Sequence, residues 1–238
     1  MKQKFSLLSN TAIKRHLCQG TIVIDPFDER HLGTCSYDVS LGEWFFREQD
    51  PGEGIRMYSP YSEEDVRRVW GKPRKAEPFC VWLEQFDICE RLGKGISPDD
   101  LIIWIAPGET LLCHTEEFIG GCGGIVTTMM KARSSMGRNF IEICKCAGWG
   151  DVGFTHRWTM EVTNNSRYYT IPLVVGRRVA QIAFFEVEPI EDPNHAYPGR
   201  GKYQTTPDIN ELKESWTPEI MLPKMCLDYE VKEALERS

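Results

Sequence analysis

The segment from residue 131 to residue 161 concentrates side chains that could bind an anion and transfer protons. Residues 133–138 read RSSMGR, which places two guanidiniums and two hydroxyls beside the free backbone N–H groups of a turn or helix start. Such a set suits a polyphosphate, because guanidinium and backbone N–H groups both donate to phosphate oxygens. A solvated turn with a capping serine explains the hexapeptide equally well.

The turn at residues 147–151 reads AGWGD. Glycines on both sides of Trp149 permit tight backbone geometry and the close approach of a flat ligand. Asp151 could accept a hydrogen bond from a sugar hydroxyl or orient a water molecule. An ordinary hairpin turn with an aspartate is the commoner meaning of such a stretch.

Glu161 is a carboxylate inside a strand-like run, residues 158–162, and it shares one side of that strand with Thr159 and Thr163. If that side faces a cleft, burial raises the carboxyl pKa and suits Glu161 to general acid/base catalysis. A solvent-facing strand residue is the alternative, and charged residues in strands are usually of that kind. Further along, residues 197–203 read YPGRGKY, which fits a flap bearing phosphate ligands or a flexible glycine-rich linker.

Short strands separated by turn residues would position these groups, and they favour an all-β sandwich or barrel. The predicted strands cover residues 21–24, 36–41, 43–47, 101–106, 109–114, 125–130, 140–146, 157–163, 168–173 and 179–187. The Pro107-Gly108 turn predicts a hairpin between two of them. One helix is predicted over residues 9–19, with Ser9 or Asn10 as its cap and Gly20 at its end.

Residues 49–97 differ from the rest in their charge, glycine and proline content, and they predict an inserted segment with helices at 62–69 and 81–90. A surface elaboration without chemistry is the favoured interpretation, and a lid or oligomer contact is the alternative. Two further helices are predicted at 208–215 and 228–237, for packing or oligomer contacts.

The 238 residues carry a net charge of −7, which disfavours a general nucleic-acid or membrane-surface role. Nine cysteines, with no secretory leader and no membrane span, predict free thiols in a cytoplasmic protein. Cys144 and Cys146 share a strand face, and His114-Thr115-Glu116 imitates half of a zinc-deaminase motif. Because the Cys-x-x-Cys half is missing, no zinc site is expected.

Taken together, these segments resemble the dCTP deaminases, which belong to the trimeric dUTPase-like superfamily. The matching motifs occur in the family order, and the similarity covers residues 5–48 and 101–206. They read IDPFDERHLGTCSYDVSLG, IIWIAPGETLLCHTEEFI, ARSSMGR, AGWGDVGF, WTMEVTN, GRRVAQIAFFEVEP and GKYQ. Residues 49–100 and the extension at 207–238 have no counterpart in this pattern.

The resemblance implies a mainly β fold, a distorted β-barrel or sandwich of the dUTPase-like type with a few short helices. It implies a homotrimer with active sites between subunits, acting without zinc on a small deoxynucleotide whose phosphates carry Mg²⁺. The implied reaction is hydrolysis of the 4-amino group of dCTP, which gives dUTP and ammonia.

The resemblance also implies roles for individual residues. Glu161 would be the general base and acid, while Ser134 and the backbone carbonyl of Ala147 position the water and the amino group. Arg138 would stabilise charge that develops beside the base. With no metal to activate water, a carboxylate must do so.

Phosphate and sugar contacts are implied in the same way. Arg133, Ser135, Tyr197 and Lys202 would hold the triphosphate, and Asp151 would bind the 3′-hydroxyl of the deoxyribose.

Two departures from the family pattern affect the substrate contacts. Gly148 and Trp149 replace a His-Arg pair, a variant associated with the branch that includes bifunctional deaminase–dUTPases. In the C-terminal Lys-Tyr-x-x-Gln motif, Tyr203 is kept, but the base-reading position is Thr206 and the glutamine is shifted to Gln204. A modified cytosine or another phosphate state is therefore open.

Three functions follow from this sequence. The leading hypothesis is dCTP deamination, and the second is dUTP diphosphatase activity, alone or coupled to deamination through Asp151. The third is a catalytically silent protein that senses nucleotides or binds a partner, which the presence of Glu161, Ser134 and Arg138 disfavours.

Overall fold

The computed structural model describes residues 6–86, 94–192 and 195–237. Its α-helices are α1 (Asn10–Gln19), α2 (Glu63–Trp70), α3 (Phe79–Phe86), α4 (Ser134–Arg138), α5 (Tyr197–Arg200), α6 (Ile209–Ser215) and α7 (Tyr229–Glu236). Its strands are β1 (Ile22–Asp25), β2 (Tyr37–Arg47), β3 (Arg74–Lys75), β4 (Glu77–Pro78), β5 (Leu101–Ile105), β6 (Thr110–Gly121), β7 (Val126–Ala132), β8 (Ile141–Ile143), β9 (Trp149–Gly150), β10 (Thr155–Asn164), β11 (Ile171–Val174) and β12 (Arg178–Glu186). Short 3-10 turns occur at Glu29–His31, Pro218–Met221 and Met225–Leu227.

Most of the strands form one large curled sheet in the order β8-β10-β6-β2-β12-β7-β9, with β1 added to β6 and β3 to β2. A smaller sheet has the order β11-β5-β4. Alternate residues of the long strands, such as Val39, Leu111, Ile182 and Phe184, fill the main core. The mainly β prediction with a few short helices is therefore confirmed.

Local sequence determines the ends of several elements. Helix α1 begins where the Ser9 side chain accepts the backbone N–H of Ala12, and it ends at Gly20, which adopts a left-handed conformation with φ 70°. Residues 133–138, predicted as a turn, contain the short helix α4. The strand predicted at 140–146 shrinks to β8, because Phe140, Cys144 and Lys145 have positive φ angles. Of the helix predicted at 81–90, residues 87–90 lie outside the described residues.

The predicted hairpin at Pro107-Gly108 is wrong. Strand β5 pairs with β11, in the register Ile105↔Ile171, whereas β6 enters the large sheet. The Gly108 N–H donates to the carbonyl of Asn164 at 2.8 Å, so the turn is held by a distant strand rather than by a local ladder.

The segment predicted as an insert at residues 49–100 and the predicted C-terminal extension share a second, smaller core. Val66 of α2 packs with Met221 and Leu222 of the C-terminal region against Phe46 and Leu112 of the large sheet. Leu112 is also the cross-strand partner of Glu161. Helix α2 and the C-terminal residues thus cover the part of the sheet that carries the predicted catalytic carboxylate.

Candidate active site

A cavity of about 410 Å³ lies between strand β10 and the C-terminal residues. It brings together six of the residues predicted for the site, although they come from three separate parts of the chain. These six are Ala147, Trp149, Asp151, Glu161, Tyr197 and Tyr203.

Strand β10 carries the acid/base candidate into this cavity. Its buried residues alternate with less buried ones, and Arg157, Thr159 and Glu161 all line the cavity. A register shift between Arg157 and Thr159 marks a bulge in the pairing with β6, which re-aims the side chains on either side of it. The alternation noted in the sequence therefore places Glu161 on the cavity side rather than in open solvent.

Burial raises the pKa of the Glu161 carboxyl, while a backbone hydrogen bond and the charge of Lys145 oppose that rise. A carboxyl with a raised pKa is a stronger base towards water than an ordinary carboxylate, and it can return the proton to a leaving group. This environment makes Glu161 the strongest candidate for proton transfer in the cavity.

The segment at residues 147–151, predicted as a turn, contains strand β9, and very close backbone contact holds this loop against β7. The Met130 N–H donates to the Gly148 carbonyl at 2.7 Å, and a Cβ atom on Gly148 would lie 2.2 Å from the Met130 carbonyl oxygen. A Cβ on Gly150 would meet Thr128 Oγ1 at 2.3 Å. Only glycine fits at either position, and this close packing against β7 places Trp149 and Asp151 at the cavity.

Two tyrosines and an aromatic cluster form another wall. The ring of Tyr197 contacts Phe154 edge-on, with 4.8 Å between ring centroids, and burial raises the pKa of Tyr197 to about 12. The Tyr203 hydroxyl accepts the backbone N–H of Lys224 at 3.1 Å. Aromatic rings, two carboxylates and two phenols surround a cavity that fits a flat polar ring with an attached sugar.

Comparison with known proteins agrees with this arrangement. The family model for dCTP deaminase-like proteins matches residues 7–187. The chain belongs to this dCTP deaminase-like family. The family match therefore includes the loop at 147–151 and Glu161, and it ends before Tyr197 and Tyr203.

Two relatives and one crystal structure extend the comparison. The "dCTP deaminase, dUMP-forming" of Methanobrevibacter smithii is 29% identical over 95% of this chain and 99% of the relative. The protein of the same name from Methanothermobacter thermautotrophicus is 30% identical over 89% of this chain and 96% of the relative. The crystal structure of 2′-deoxycytidine 5′-triphosphate deaminase from Agrobacterium tumefaciens has a TM-score of 0.52 at 16% identity. It matches 77% of this chain and 49% of its own, so the chain spans about half of that protein and shares its fold.

The RSSMGR segment of this family member lies away from the cavity within one chain. Ser134, Ser135 and Arg138 are exposed on α4. Arg133 faces a different groove, where its Nε lies 3.2 Å from Asp38 Oδ2 and its Nη1 donates to the Arg178 carbonyl at 3.2 Å. These four residues do not meet Glu161 in the described chain, so their predicted roles require a second copy.

The remaining predicted ligands in the flap make contacts within the chain. Lys202 forms an ion pair with Asp228. Gln204 is fully buried: its Oε1 accepts the Thr155 N–H at 2.8 Å and its Nε2 donates to the Thr206 carbonyl at 3.0 Å. The Thr206 hydroxyl donates to Glu211 at 2.7 Å. None of the three lines the cavity, and their roles in binding substrate stay predictions.

Sequence reasoning missed two groups of cavity residues. His156 and Arg157 belong to β10, and the same alternation that placed Thr159 beside Glu161 could have found Arg157. His156 is buried, and burial lowers its pKa to about 4. The second group comes from the C-terminal extension, and no local pattern could have found it. It comprises Ile220, Met221, Pro223 and Met225.

Within the described residues, no three histidine, cysteine, aspartate or glutamate side chains are grouped as a metal site would need. No described helix has the length and apolar character needed to cross a membrane. The cavity itself offers two carboxylates, Asp151 and Glu161, beside aromatic and apolar walls.

Proposed function

We propose that this protein hydrolyses the 4-amino group of dCTP and carries the product on to dUMP. The observation that carries the proposal is the placement of Glu161, with its raised pKa, and Asp151 in one cavity. Family membership supports the deaminase chemistry. The two relatives above are named dUMP-forming, which favours the coupled reaction over the release of dUTP implied by the first resemblance.

In the deamination step, Glu161 takes a proton from water as the water oxygen attacks C4 of the cytosine. The protonated carboxyl then gives that proton to N4, the C4–N4 bond breaks and ammonia leaves. The proton of the new C4 hydroxyl moves to N3 as the C4 carbonyl forms. A carboxyl with a raised pKa suits both halves of this transfer. The backbone carbonyl of Ala147, a residue that lines the cavity, would orient the water and the amino group together with Ser134. Arg138 would stabilise the developing charge.

In the second step, a water molecule attacks the α-phosphorus of dUTP, and the bond to the bridging oxygen of the β-phosphate breaks. Pyrophosphate leaves and dUMP remains. Asp151 would orient this water, since its carboxylate lies on the loop at the cavity rim. The nucleotide would enter as its Mg²⁺ complex, with Arg133, Ser135, Tyr197 and Lys202 on the phosphates.

We further propose a homotrimer in which a second copy supplies Ser134 and Arg138. This arrangement explains why both lie exposed on α4, away from Glu161. Residues 1–206 would form the catalytic domain, with 49–100 as an insert and 207–238 as a helical extension, in a cytoplasmic protein.

Product analysis tests the proposal. The protein is incubated with dCTP, dCMP, 5-substituted dCTPs or dUTP in the presence of Mg²⁺, and the nucleotides are separated by chromatography. We expect dCTP to yield ammonia, pyrophosphate and dUMP. Asp151→Asn should accumulate dUTP, whereas the exposed Asp50→Asn control should behave like the wild type.

Two outcomes would contradict separate parts of the proposal. Absence of ammonia from every cytosine nucleotide would refute the deaminase assignment. Accumulation of dUTP by the wild type, with no hydrolysis of added dUTP, would refute only the second step.

A further inference from the structure

The C-terminal extension changes the charges at the end of the cavity where Tyr197 and Tyr203 lie. It contributes two charged residues there, Lys224 and Asp228. Asp228 forms an ion pair with Lys202, the lysine that the family pattern assigns to the phosphates. One positive charge of the expected phosphate site is therefore balanced within the chain.

Lys224 has no such counter-charge. No carboxylate among the described residues lies within ion-pair distance of its ammonium, which instead donates to the Lys202 carbonyl at 3.1 Å. The ammonium also lies 5.2 Å from the centroid of the Tyr203 ring. These contacts hold the side chain in place without neutralising it.

The surroundings of Lys224 make this charge costly. The side chain is half-buried, and burial lowers its pKa because the charged form is desolvated. Its charge extends to the cavity, since it contributes to the lowered pKa of His156. An anion beside the ammonium would remove the imbalance, and charge-assisted hydrogen bonds to phosphate oxygens are the strong kind.

We propose that Lys224 binds the polyphosphate of the nucleotide substrate. It takes over phosphate binding from Lys202, whose ammonium is engaged in the ion pair with Asp228. Two neighbouring contacts support this position. The Lys224 backbone N–H donates to the hydroxyl of Tyr203, a cavity residue. Pro223 and Met225 line the cavity, and Lys224 lies between them, next to the lining residues rather than among them. The inference rests on the proposed function, because it takes the nucleotide as the ligand.

Substitution of Lys224 by methionine tests the role, because methionine keeps an unbranched side chain and removes the charge. Lys232→Met, at an exposed position on α7, is the matched control. Binding of dCTP, dCMP, deoxycytidine and inorganic triphosphate is measured by titration calorimetry, beside kcat and KM for dCTP. Thermal unfolding of each variant reports whether it folds.

We expect Lys224→Met to weaken binding of dCTP and of inorganic triphosphate by about tenfold, the value of one hydrogen bond to a charged group. Deoxycytidine binding should not change, dCMP should be affected less than dCTP, and KM should rise more than kcat falls. Lys224→Arg, which retains the charge, should restore most of the affinity.

Several results would overturn the inference. Unchanged triphosphate binding in Lys224→Met would do so, as would an equal loss of affinity for deoxycytidine, which indicates a structural role. If Lys224→Met does not fold, Lys224→Arg and Lys224→Gln replace it, and equal affinities in these two refute a role for the charge. Inorganic triphosphate is measured without turnover, so a protein that binds it through Lys224 but releases no ammonia would refute the proposed function alone.

Discussion

Replacing Glu117 by glutamine is expected to remove one contribution that destabilises the folded protein as pH rises from 5 to 8. Glu117 on β6 is buried, and its two carboxylate oxygens accept the same Ser40 backbone N–H at 3.1 and 2.9 Å. The Nδ1 atom of His31 lies 3.8 Å from Glu117 Oε1, and Glu116 is the nearest acidic neighbour in the chain. Burial outweighs the Ser40 hydrogen bond and raises the pKa of Glu117 to about 7.

The magnitude follows from proton linkage. A carboxyl with a pKa raised from 4.5 to about 7 holds its proton longer in the folded state than in the unfolded state. Folding is therefore favoured most below pH 4.5, and this contribution is lost as pH rises towards 7. At 1.36 kcal/mol per pKa unit, the loss is about 3 kcal/mol.

Urea unfolding at fixed protein concentration, followed by circular dichroism at pH 5, 6.5 and 8, measures this loss. Between pH 5 and pH 8 the wild type should lose about 2.5 kcal/mol of unfolding free energy relative to Glu117→Gln. The comparison isolates Glu117, because the buried histidines His114 and His156, whose pKa values are lowered to about 4, are common to both proteins. Glu116→Gln, at the exposed neighbouring position, should retain the wild-type slope. An unchanged slope in Glu117→Gln would show that Glu117 ionises normally and would refute the reasoning.

Three further predictions concern the site and the thiols. Gly148→Ala should destabilise the fold by about 1–3 kcal/mol and slow deamination, because its Cβ would overlap the Met130 carbonyl; wild-type stability and rate would contradict this. The kcat/KM for dCTP should fall as pH drops through the raised pKa of Glu161, so the pH–rate profile should have its inflection above pH 4.5. An inflection at or below pH 4.5 would argue against Glu161 as the base. In thiol labelling at pH 8, exposed Cys18, Cys35 and Cys146 should react before unfolding, whereas burial raises the pKa values of Cys113 and Cys144 and should protect them; early modification of either buried thiol, located by mass spectrometry, would contradict this.

Strand positions could be predicted from the sequence, because apolar and polar residues alternate along a strand that has one face buried. The alternation Tyr37, Val39, Leu41 predicted β2, and all three side chains are fully buried. The hairpin at Pro107-Gly108 failed because turn chemistry is local, whereas the partner of β5 is β11, many residues later.

The sequence predicted the site residues on the loop at 147–151 and on strand β10. It did not predict the cavity residues that come from the C-terminal extension. Glu161, Trp149 and Asp151 carry recognisable motifs, and the structure brings them to one cavity. Met221 reaches that cavity only because the C-terminal extension packs on Val66 and Leu112. Such contacts depend on tertiary packing between segments that are distant in sequence, and no periodic pattern in the sequence predicts this packing.

The central claim is that Glu161 transfers the proton that releases ammonia from dCTP. Its most direct test compares initial rates of ammonia release by the wild type, Glu161→Gln and Glu142→Gln, with dCTP affinity measured in parallel. Glu161→Gln should lose deamination by about 10²–10⁴-fold, the usual contribution of a general base, while still binding dCTP, and Glu142→Gln, which lies outside the cavity, should remain active. Deamination at the wild-type rate by Glu161→Gln would contradict the account.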